Sequence, residues 1–471
     1  MSNSNFHART LALVFSAALL SGQDFSARFA QIRDQASPAQ LYAFLYAMPK
    51  GGDLHHHAGL SLLASTSLKV ALEQKKYGYR FYTRTSFHDC GDNDNGGVLI
   101  YLNINGPAYD KLTPCRKSDF TPIDDMSPSQ RQGWLSSLML DQTGEARNEF
   151  FEEIVPRMTA LHRSPHFFAE GFAENLKLFG AEGVRYVEAQ WSPLVMEKPD
   201  GSLYDPEEAI AIFRKRMDQA DVQASGVQFR FQTTVIRFRA DVERQIAAQY
   251  DFIDRHRDLW VGINAAGRED NDKGYALRML DSFREARRKY SGIGMSIHAG
   301  EKDSPGHEVR DTLLLGATRI GHGVNLITDP DTMLLMRHNQ YLVETSLVSN
   351  RLLEYTPDLS KHPFPEYLRF GIPVCLNTDD RGSWDSNMTD EYVHAVKLFR
   401  MTWDEVKQIG RDSLRFSFAP ETLKRKMLAD YERDIASFES RFGGESWSEE
   451  IAKVKPAVSG YARRYLLHHG L

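Results

Sequence analysis

Short apolar runs alternate with helix-length segments along most of the chain. Eight runs have the length of strands: residues 54–57, 184–191, 227–236, 259–263, 294–297, 318–320, 341–343 and 372–376. Alternating strands and helices are typical of a parallel α/β sheet. Eight strands is the number that closes a (β/α)8 barrel. The pattern therefore predicts an α/β protein of the TIM-barrel type.

Segments of different composition lie before, within and after this alternation of strands and helices. We expect a helical extension over residues 23–47, the barrel over residues 48–440 and a helical tail over residues 441–471. Residues 75–135 contain a polar run, several prolines and two of the three cysteines. This composition predicts an insertion after the first strand, with a small β structure of its own. A dinucleotide-binding fold is the weaker alternative, because no G-x-G-x-x-G follows a strand.

The first 22 residues resemble an export signal. His7 and Arg9 precede an apolar run, residues 10–20, which has the expected length and is too short to span a membrane as a helix. We expect residues 1–22 to be a signal peptide and the protein to be periplasmic or secreted. The alternative is an N-terminal helix of a cytoplasmic enzyme. No other stretch is apolar and long enough to cross a bilayer, so we predict no stable membrane span.

Composition narrows the classes of partner. The chain has 42% hydrophobic residues, 25% charged residues and a net charge of -6. These values are ordinary for a globular protein and offer no basic patch, so nucleic acid is not an expected partner. Three cysteines cannot build a cysteine-rich zinc site. They allow one disulfide, Cys90 to Cys115, with Cys375 left over, but three free thiols are the favoured expectation.

Four polar clusters each follow one of the predicted strands. They are His55-His56-His57, His298-Ala299-Gly300-Glu301, Arg319-Ile320-Gly321-His322-Gly323 and Thr378-Asp379-Asp380. The carboxyl ends of barrel strands meet at one face, and the active sites of such barrels are built there. We therefore expect the four clusters to form one site.

The residue types of these clusters predict a metal centre. His55 and His57 are two residues apart, so they lie on the same side of a strand, and His56 points away. With His298 and Asp379 they form a nitrogen-rich set with one carboxylate, which suits zinc with a position left for water. Zinc makes hydroxide available near neutral pH, so no Ser or Cys nucleophile is needed.

Three further residues are candidates for proton transfer and substrate binding. His322 is a candidate to take the proton of the attacking water, or else a packed core histidine. Glu301 is a candidate to donate a proton to the substrate, or else a partner that orients a ligand histidine. Asp380 is a candidate substrate acceptor, or else the N-cap of a helix.

Taken together, the motifs resemble the adenosine deaminase family of the amidohydrolase barrels. The resemblance covers about residues 38–425 and includes the first-strand motif from Met48 to His57 as well as the three later clusters. The segment before the first motif, the insertion after it and the export signal resemble the secreted, growth-factor-related branch.

The resemblance implies a reaction and a role for each residue. It implies one zinc ion, held by His55, His57, His298 and Asp379. Glu301 would protonate the purine at N1, and His322 would orient the hydroxide that attacks C6, with Glu301, His322 and Asp379 as the catalytic residues. The backbone amide of Gly267 would meet the purine, and Asp380 would contact N7. The implied function is hydrolytic deamination of adenosine or 2'-deoxyadenosine to inosine or deoxyinosine plus ammonia.

Two departures from the family pattern leave alternatives open. Many members carry an acidic or hydroxyl residue near the ribose, two places after the second histidine, where this chain has Gly59. Arg381 follows the double aspartate, and a cation at the mouth of the site would favour an anionic substrate. The alternatives are deamination of another aminopurine or a modified adenosine, and a catalytically idle secreted binding protein. The N-terminal helical extension is also a candidate homodimer interface.

Overall fold

Two sheets account for the strands of the computed structural model, which describes residues 25–91 and 99–467. The expected signal peptide, residues 1–22, lies outside the described residues. In chain order the strands are β1 (Gly51–His57), β2 (Phe81–Arg84), β3 (Asn103–Asn105), β4 (Phe120–Pro122), β5 (Val184–Gln190), β6 (Gln228–Ile236), β7 (Trp260–Ala266), β8 (Gly294–Ala299), β9 (Arg319–His322), β10 (Leu342–Thr345) and β11 (Val374–Leu376).

Helices fill most of the remaining sequence. They are α1 (25–35), α2 (Pro38–Ala47), α3 (Ala64–Glu73), α4 (Gly106–Asp110), α5 (Pro114–Lys117), α6 (Pro128–Ser136), α7 (Arg147–Glu149), α8 (Val155–His162), α9 (Pro165–Ala181), α10 (Pro206–Met217), α11 (Ala220–Gln223), α12 (Val242–Arg255), α13 (Leu280–Lys289), α14 (Glu308–Leu315), α15 (Pro330–Asn339), α16 (Leu347–Leu352), α17 (Phe364–Phe370), α18 (Arg381–Trp384), α19 (Met388–Lys397), α20 (Trp403–Arg415), α21 (Glu421–Phe442), α22 (Trp447–Ala452) and α23 (Gly460–Tyr465). A π-helical turn, Phe150–Ile154, joins α7 to α8.

Several barrel helices begin with a capping side chain followed by proline. Ser164, Asp205 and Asp329 each precede a proline, and each side chain accepts a hydrogen bond from a backbone N–H in the first turn of its helix. The cap satisfies a donor that the helix leaves unpaired, and proline suits the first helical position because it has no N–H to lose.

Eight parallel strands form the barrel, in the order β1-β5-β6-β7-β8-β9-β10-β11. Their residues are buried on both faces, as in β5, where Val184, Tyr186, Val187 and Ala189 are all fully buried. Burial on both faces explains why these strands appear in the sequence as short continuous apolar runs. The predicted (β/α)8 barrel is confirmed, and each of the eight predicted strands is present.

The last strand returns to the first one just beyond β11. The backbone N–H of Asp379 donates to the carbonyl of His55 at 3.0 Å, and that of His57 donates to the carbonyl of Asp379 at 3.2 Å. This seam between the two ends of the barrel passes directly through two of the predicted polar clusters.

The segment between β1 and β5 carries the second sheet. Strands β3, β2 and β4 pair antiparallel in that order, inside the expected insertion at residues 75–135. A separate apolar cluster, including Phe81, Trp134 and Phe167, joins the insertion to α9. Cys90 and Cys115 form a disulfide with Cα atoms 5.9 Å apart, so the expectation of three free thiols is wrong. Cys375 is free and buried.

The first two helices pack against the carboxyl-terminal helices of the same chain. The ring of Phe25 lies 4.9 Å from that of Trp403, and the ring of Phe44 lies 4.9 Å from that of Phe438. These aromatic faces are therefore covered within one chain, and a dimer interface on the extension would have to use its other faces. Among the described helices, none combines the length and the apolar character needed to cross a membrane.

Candidate active site

Four of the predicted side chains converge at the carboxyl end of the barrel. His55 and His57 come from β1, His298 from β8, and Asp379 from the turn after β11, and their potential ligand atoms all lie within 4.8 Å of one another. The Nε2 atom of His298 is 3.0 Å from that of His55 and 3.2 Å from that of His57. The structure thus brings together the four residues that the sequence nominates as metal ligands.

Two neighbouring side chains fix the orientation of these imidazoles. His55 Nδ1 donates to Glu344 Oε2 at 2.8 Å, and His298 Nδ1 donates to the amide oxygen of Asn264 at 3.0 Å. With the proton on Nδ1, the Nε2 atom of each neutral ring carries a bare lone pair directed into the cluster.

The donor atoms of the cluster fit a cation. The bare Nε2 atoms of His55 and His298 face each other at 3.0 Å with no proton between them. Asp379 Oδ1 lies 3.1 Å from His57 Nε2 and 3.5 Å from His55 Nε2. That oxygen is buried and has no hydrogen-bond partner among the described residues. Such a convergence is unfavourable unless a positive charge lies between the atoms, and three nitrogens with one carboxylate suit zinc.

The backbone is strained at two residues of the site. His322 and Asp379 have φ values of 62° and 54°, in the left-handed region that residues other than glycine rarely adopt. Each such residue costs of order 1–3 kcal/mol and is typical of functional sites. Glycine is required at position 321, because a Cβ there would lie 2.6 Å from Cε1 of His55.

Glu301 is buried beside the cluster, and hydrogen bonds to its backbone fix the position of its loop. Glu269 accepts hydrogen bonds from the N–H groups of Gly300 at 2.9 Å and Glu301 at 3.2 Å. Burial raises the pKa of Glu301 well above its usual range, and the charges of Asp379 and Glu269 raise it further. The carboxyl group is therefore suited to hold a proton at neutral pH and to donate it.

His322 lies against the ligand histidines. Its ring centre is 4.9 Å from that of His55 and 5.0 Å from that of His298. Burial lowers its pKa to about 3, which favours a neutral ring at neutral pH. Its Nδ1 atom is 3.4 Å from Glu301 Oε1, so the two predicted proton-transfer groups are neighbours.

Asp380 and Gly267 occupy places that suit contact with a substrate. Asp380 is buried, its Oδ1 atom has no partner among the described residues, and its side chain does not cap α18. Gly267 follows β7 directly and has a φ of 101°, and a Cβ there would lie 2.8 Å from Phe238. Asp380 is therefore the N-cap residue of α18 by position, but its side chain makes no capping hydrogen bond there. The two proposed purine contacts stay predictions.

Arg381 does not lie at the mouth of the site. Its side chain is buried, forms an ion pair with Glu182 at 3.1 Å and stacks over Phe179 at 4.4 Å. The chain turns at Asp379, so the next two side chains face different surroundings. The expectation that Arg381 attracts an anionic substrate is wrong.

Several residues that support the site are not among those predicted from the sequence. Glu344, Asn264 and Glu269 each contact a ligand histidine or the Glu301 loop, and Asn350 contacts both Glu301 and His322. Their positions could have indicated a role in the site, because each of these residues lies at the carboxyl end of a predicted strand or shortly after it. Their partners come from other strands, however, and a single strand does not reveal them.

An acidic cavity lies among the segments that follow the strands on this face of the barrel. It has a volume of about 570 Å³ and is lined by residues that follow β7, β8 and β10 and by the start of the α7 segment. Its charged lining comprises Glu145, Arg147, Glu149, Glu152, Glu153, Arg268, Asp270, Asp303 and Glu354. Arg147 pairs with Asp303 at 2.8 Å and Arg268 with Asp270 at 2.6 Å, and carboxylates outnumber guanidinium groups in this lining.

Fold and site together define a hydrolase of the metal-dependent barrel type, with three histidines and an aspartate at the strand ends. The sequence profile named "Adenosine deaminase" matches residues 141–433. The chain therefore belongs to the adenosine deaminase family and is an adenosine deaminase-type hydrolase. Its assignment to the secreted, growth-factor-related branch stays a prediction.

Curated relatives with the name adenosine deaminase share part of the sequence. The protein of Enterococcus faecalis is 28% identical over 239 residues, which cover 50% of this chain and 67% of the relative. That of Vibrio vulnificus is 29% identical over 251 residues, covering 53% and 72%. That of Pectobacterium atrosepticum is 32% identical over 190 residues, covering 40% and 55%.

Solved structures show the same fold. An adenine deaminase from Arthrobacter aurescens aligns with a TM-score of 0.60 and 18% identity, over 82% of this chain and 99% of its own. Arabidopsis ADAL complexed with IMP aligns with a TM-score of 0.62 and 17% identity, over 84% and 99%. A zinc-bound amidohydrolase from Burkholderia ambifaria aligns with a TM-score of 0.61 and 18% identity, over 85% and 93%.

Proposed function

We propose that the protein is a zinc-dependent enzyme that deaminates adenosine or 2'-deoxyadenosine by hydrolysis. The observation that carries the proposal is the convergence of four ligand side chains with Glu301 and His322 at one end of the barrel. Family membership supports deamination of an adenine-type substrate. Zinc is supported by the donor set and by the zinc-bound neighbour of the same fold.

The residues divide the reaction between them. His55, His57, His298 and Asp379 would hold zinc, which when bound makes hydroxide available from water near neutral pH. Glu301 holds a proton and gives it to N1 of the purine, which makes C6 electrophilic. His322 orients the attacking oxygen and takes its proton. The C6–O bond forms, the proton that His322 has taken passes to N6, and the C6–N6 bond breaks, which releases ammonia and leaves a carbonyl at C6. Glu301 regains a proton from the water that supplies the next hydroxide.

A neutral nucleoside suits this site better than a nucleotide. We infer that the acidic cavity on the carboxyl face of the barrel is the entrance to the site. Its charged lining has seven carboxylates and two guanidinium groups, and both guanidinium groups are paired. A phosphate group would meet a negative potential there. The alternative substrate, a nucleoside monophosphate, is suggested by the fold neighbour complexed with IMP, but the described lining of the entrance offers no guanidinium that lacks a carboxylate partner.

His162 is our candidate for the missing ribose contact. A Cβ on Gly59 would lie 3.1 Å from His162 Nδ1, so the imidazole occupies the space beside this position. The Nε2 atom of His162 is buried and has no hydrogen-bond partner among the described residues. Since buried polar atoms are normally paired, a sugar hydroxyl is a suitable partner for it. We expect His162→Phe to raise KM for adenosine, with kcat little changed, and an unchanged KM would remove His162 from the substrate site.

Export is a proposal that the disulfide supports. Disulfides persist mainly in oxidising compartments, and Cys90 is bonded to Cys115. Export can be tested by expressing the full chain and a chain without residues 1–22 in separate cultures. Cell fractionation then shows in which compartment each chain is found. Equal amounts of both chains in the cytoplasm would contradict it. Dimer formation stays a prediction.

Ultraviolet absorbance tests the reaction directly. Purified protein should convert adenosine to inosine and release one ammonia per turnover, and Glu301→Gln should lower kcat by at least about 100-fold without loss of bound zinc. Glu366→Gln, on the exposed side of α17, is the matched control and should leave the rate unchanged. Bound zinc without turnover of adenosine or deoxyadenosine would contradict the proposed substrate, and the other aminopurines would then be assayed.

Specificity is tested with the same assay. We expect kcat/KM for adenosine to exceed that for AMP by at least about tenfold at low ionic strength. The ratio should fall when Asp303→Asn and Glu354→Gln are combined, because two carboxylates of the entrance are then neutral. A preference for AMP would overturn the nucleoside assignment.

A further inference from the structure

We propose that the outward side of helix α15, together with the neighbouring part of α14, is an interface at which two copies of this chain meet about a twofold axis. The proposal rests on the exposed side chains of these helices and is independent of the proposed function. It places the dimer interface away from the N-terminal extension, whose aromatic faces are covered within one chain.

Exposed apolar side chains are concentrated on one side of the barrel. Ten large hydrophobic side chains are exposed among the described residues, and six of them lie on elements that follow β7, β8 and β9: Tyr275, Leu277, Leu314, Ile327, Leu334 and Leu335. The 3₁₀ turn Ala276–Met279 packs against α14, and α14 and α15 follow successive barrel strands. A concentration of this kind on a folded surface marks an interaction site, whereas single exposed apolar residues are ordinary.

Helix α15 has leucines where the outer helices of a barrel normally carry polar residues. Its buried side faces the barrel with Thr332, Met333 and Met336. At about 100° per residue, the opposite side of the helix consists of four exposed residues, Asp331, Leu334, Leu335 and His338. We call these four residues the α15 outer face. Leu334 and Leu335, which are 41% and 45% exposed, lie at its centre, so one chain alone does not bury them.

The α15 outer face is complementary to a second copy of itself. Asp331 lies at its amino end and His338 at its carboxyl end, with the two leucines between them. If two such helices pack antiparallel about an axis between Leu334 and Leu335, the leucines of one helix meet those of the other. Each Asp331 then meets His338 of the partner subunit, as a twofold interface requires. A parallel arrangement would instead place the two aspartates against each other.

The charges of α15 support the antiparallel arrangement. The side chains of Asp331 and His338 have no ion-pair or hydrogen-bond partner among the described residues. Arg337, next to His338, stacks over Phe370 at 5.0 Å and adds positive charge to the carboxyl end of the helix. An antiparallel partner therefore brings a negative end of one helix against a positive end of the other, twice in each dimer.

The neighbouring elements enlarge the apolar surface. A specific interface buries about 800 Å² on each partner, which is more than two leucines supply. Leu314 on α14 is 53% exposed, and Ile327 is exposed in the turn before α15. His307 before α14 lies 4.0 Å from Asp329 before α15, so the two helices begin side by side. We expect a dimer with a dissociation constant of about 1–10 µM.

Sedimentation at increasing concentration tests the interface. The purified protein should change from monomer to dimer between about 0.1 and about 100 µM. Leu334→Glu brings two carboxylates close to the twofold axis and should raise the dissociation constant at least about 100-fold. Leu203→Glu is the matched control, because Leu203 is 62% exposed but lies outside this surface, and it should leave the constant unchanged. Below the dissociation constant, both variants should keep the thermal midpoint of the wild type, which shows that they are folded.

An exchange of charges tests the antiparallel arrangement. Asp331→Lys removes the acceptor that faces the positive end of the partner helix, and His338→Glu brings two carboxylates together. Each change should raise the dissociation constant at least about fivefold, because each dimer contains the pair twice. The double variant Asp331→Lys/His338→Glu again opposes unlike charges and should regain most of the wild-type affinity.

Four results would overturn the proposal. A wild type that stays monomeric at about 100 µM would show that this face serves another protein or none. An unchanged dissociation constant in Leu334→Glu would place the interface elsewhere on the chain. A double charge variant that binds no better than the single variants would exclude the antiparallel pairing. A dimer that forms only in a chain without residues 1–22 would show that the amino-terminal segment of the chain itself covers this face.

Discussion

Glu344 accepts the Nδ1 proton of His55 at 2.8 Å, and its other carboxylate oxygen is 2.5 Å from Nε of Arg319. Arg319 in turn pairs with Glu188 at 2.7 Å. All three charged side chains are buried inside the barrel. One carboxylate thus links a predicted metal ligand to an ion-pair network in the barrel core.

Glu344→Gln should weaken metal binding. The amide is a poorer acceptor and supplies no charge to the His55 imidazole, and changes of this kind typically cost 10- to 100-fold in metal affinity (about 1.4–2.7 kcal/mol). Competition with a chelator measures the affinity. Glu366→Gln serves as the surface control, and an unchanged affinity in Glu344→Gln would show that this carboxylate serves only the core network.

Gly321→Ala should displace His55. The added Cβ would lie 2.6 Å from Cε1 of that imidazole, a distance at which one of the two must move. We expect at least about a tenfold loss of metal affinity and a lower thermal midpoint. Gly444→Ala is the matched control, because nothing lies within 4 Å of a Cβ built there. Equal metal content in the two variants after dialysis against a chelator would contradict the prediction.

Glu269→Gln should shift the pH profile of the enzyme. Its carboxylate holds the N–H groups of Gly300 and Glu301, and its charge helps to raise the pKa of Glu301. Without that charge the pKa of Glu301 falls, so the proton donor is lost at lower pH. The alkaline limb of kcat/KM should therefore move to lower pH, and kcat should fall about tenfold. Glu308→Gln, which changes the nearby ion pair with Lys302, should leave the limb in place.

Asp390→Asn should change the pH dependence of stability. Burial raises the pKa of Asp390 from 3.8 to about 7. A raised carboxyl pKa favours folding below the unfolded value of 3.8, and this contribution is lost as pH rises through about 7. The wild type should therefore lose about 1–3 kcal/mol of unfolding free energy relative to the variant between about pH 5 and about pH 8. Thermal midpoints across this range check the prediction, and Asp434→Asn, an exposed site, should show no such difference.

The strands and the ligand set could be predicted because both are local in sequence. Each barrel strand is an apolar run, and each ligand lies within such a run or follows its end by at most three residues. His55 and His298 could be predicted as metal ligands without knowing which residues they contact. The predicted strand ends also placed them at one face of the barrel.

The remaining features depend on contacts between distant segments. Arg381 follows a predicted ligand in sequence, yet it packs against Phe179 and Glu182, which no local pattern indicates. The pairing of Cys90 with Cys115 depends on the fold of the insertion. Asn350 contacts Glu301 and His322, which come from two other strand ends, and no local pattern indicates these contacts.

The seam of the barrel has a consequence for the synthesis of the protein. His55 and His57 emerge early from the ribosome, but Asp379, which completes the donor set and pairs with their strand, emerges more than 300 residues later. His55 and His57 therefore lack their fourth donor, and the edge of β1 lacks these backbone bonds, until most of the chain has been synthesised. A product that terminates before residue 379 lacks both the fourth donor and the closing backbone bonds. Nascent and truncated chains are thus kept from catalysis by the order in which the barrel is built.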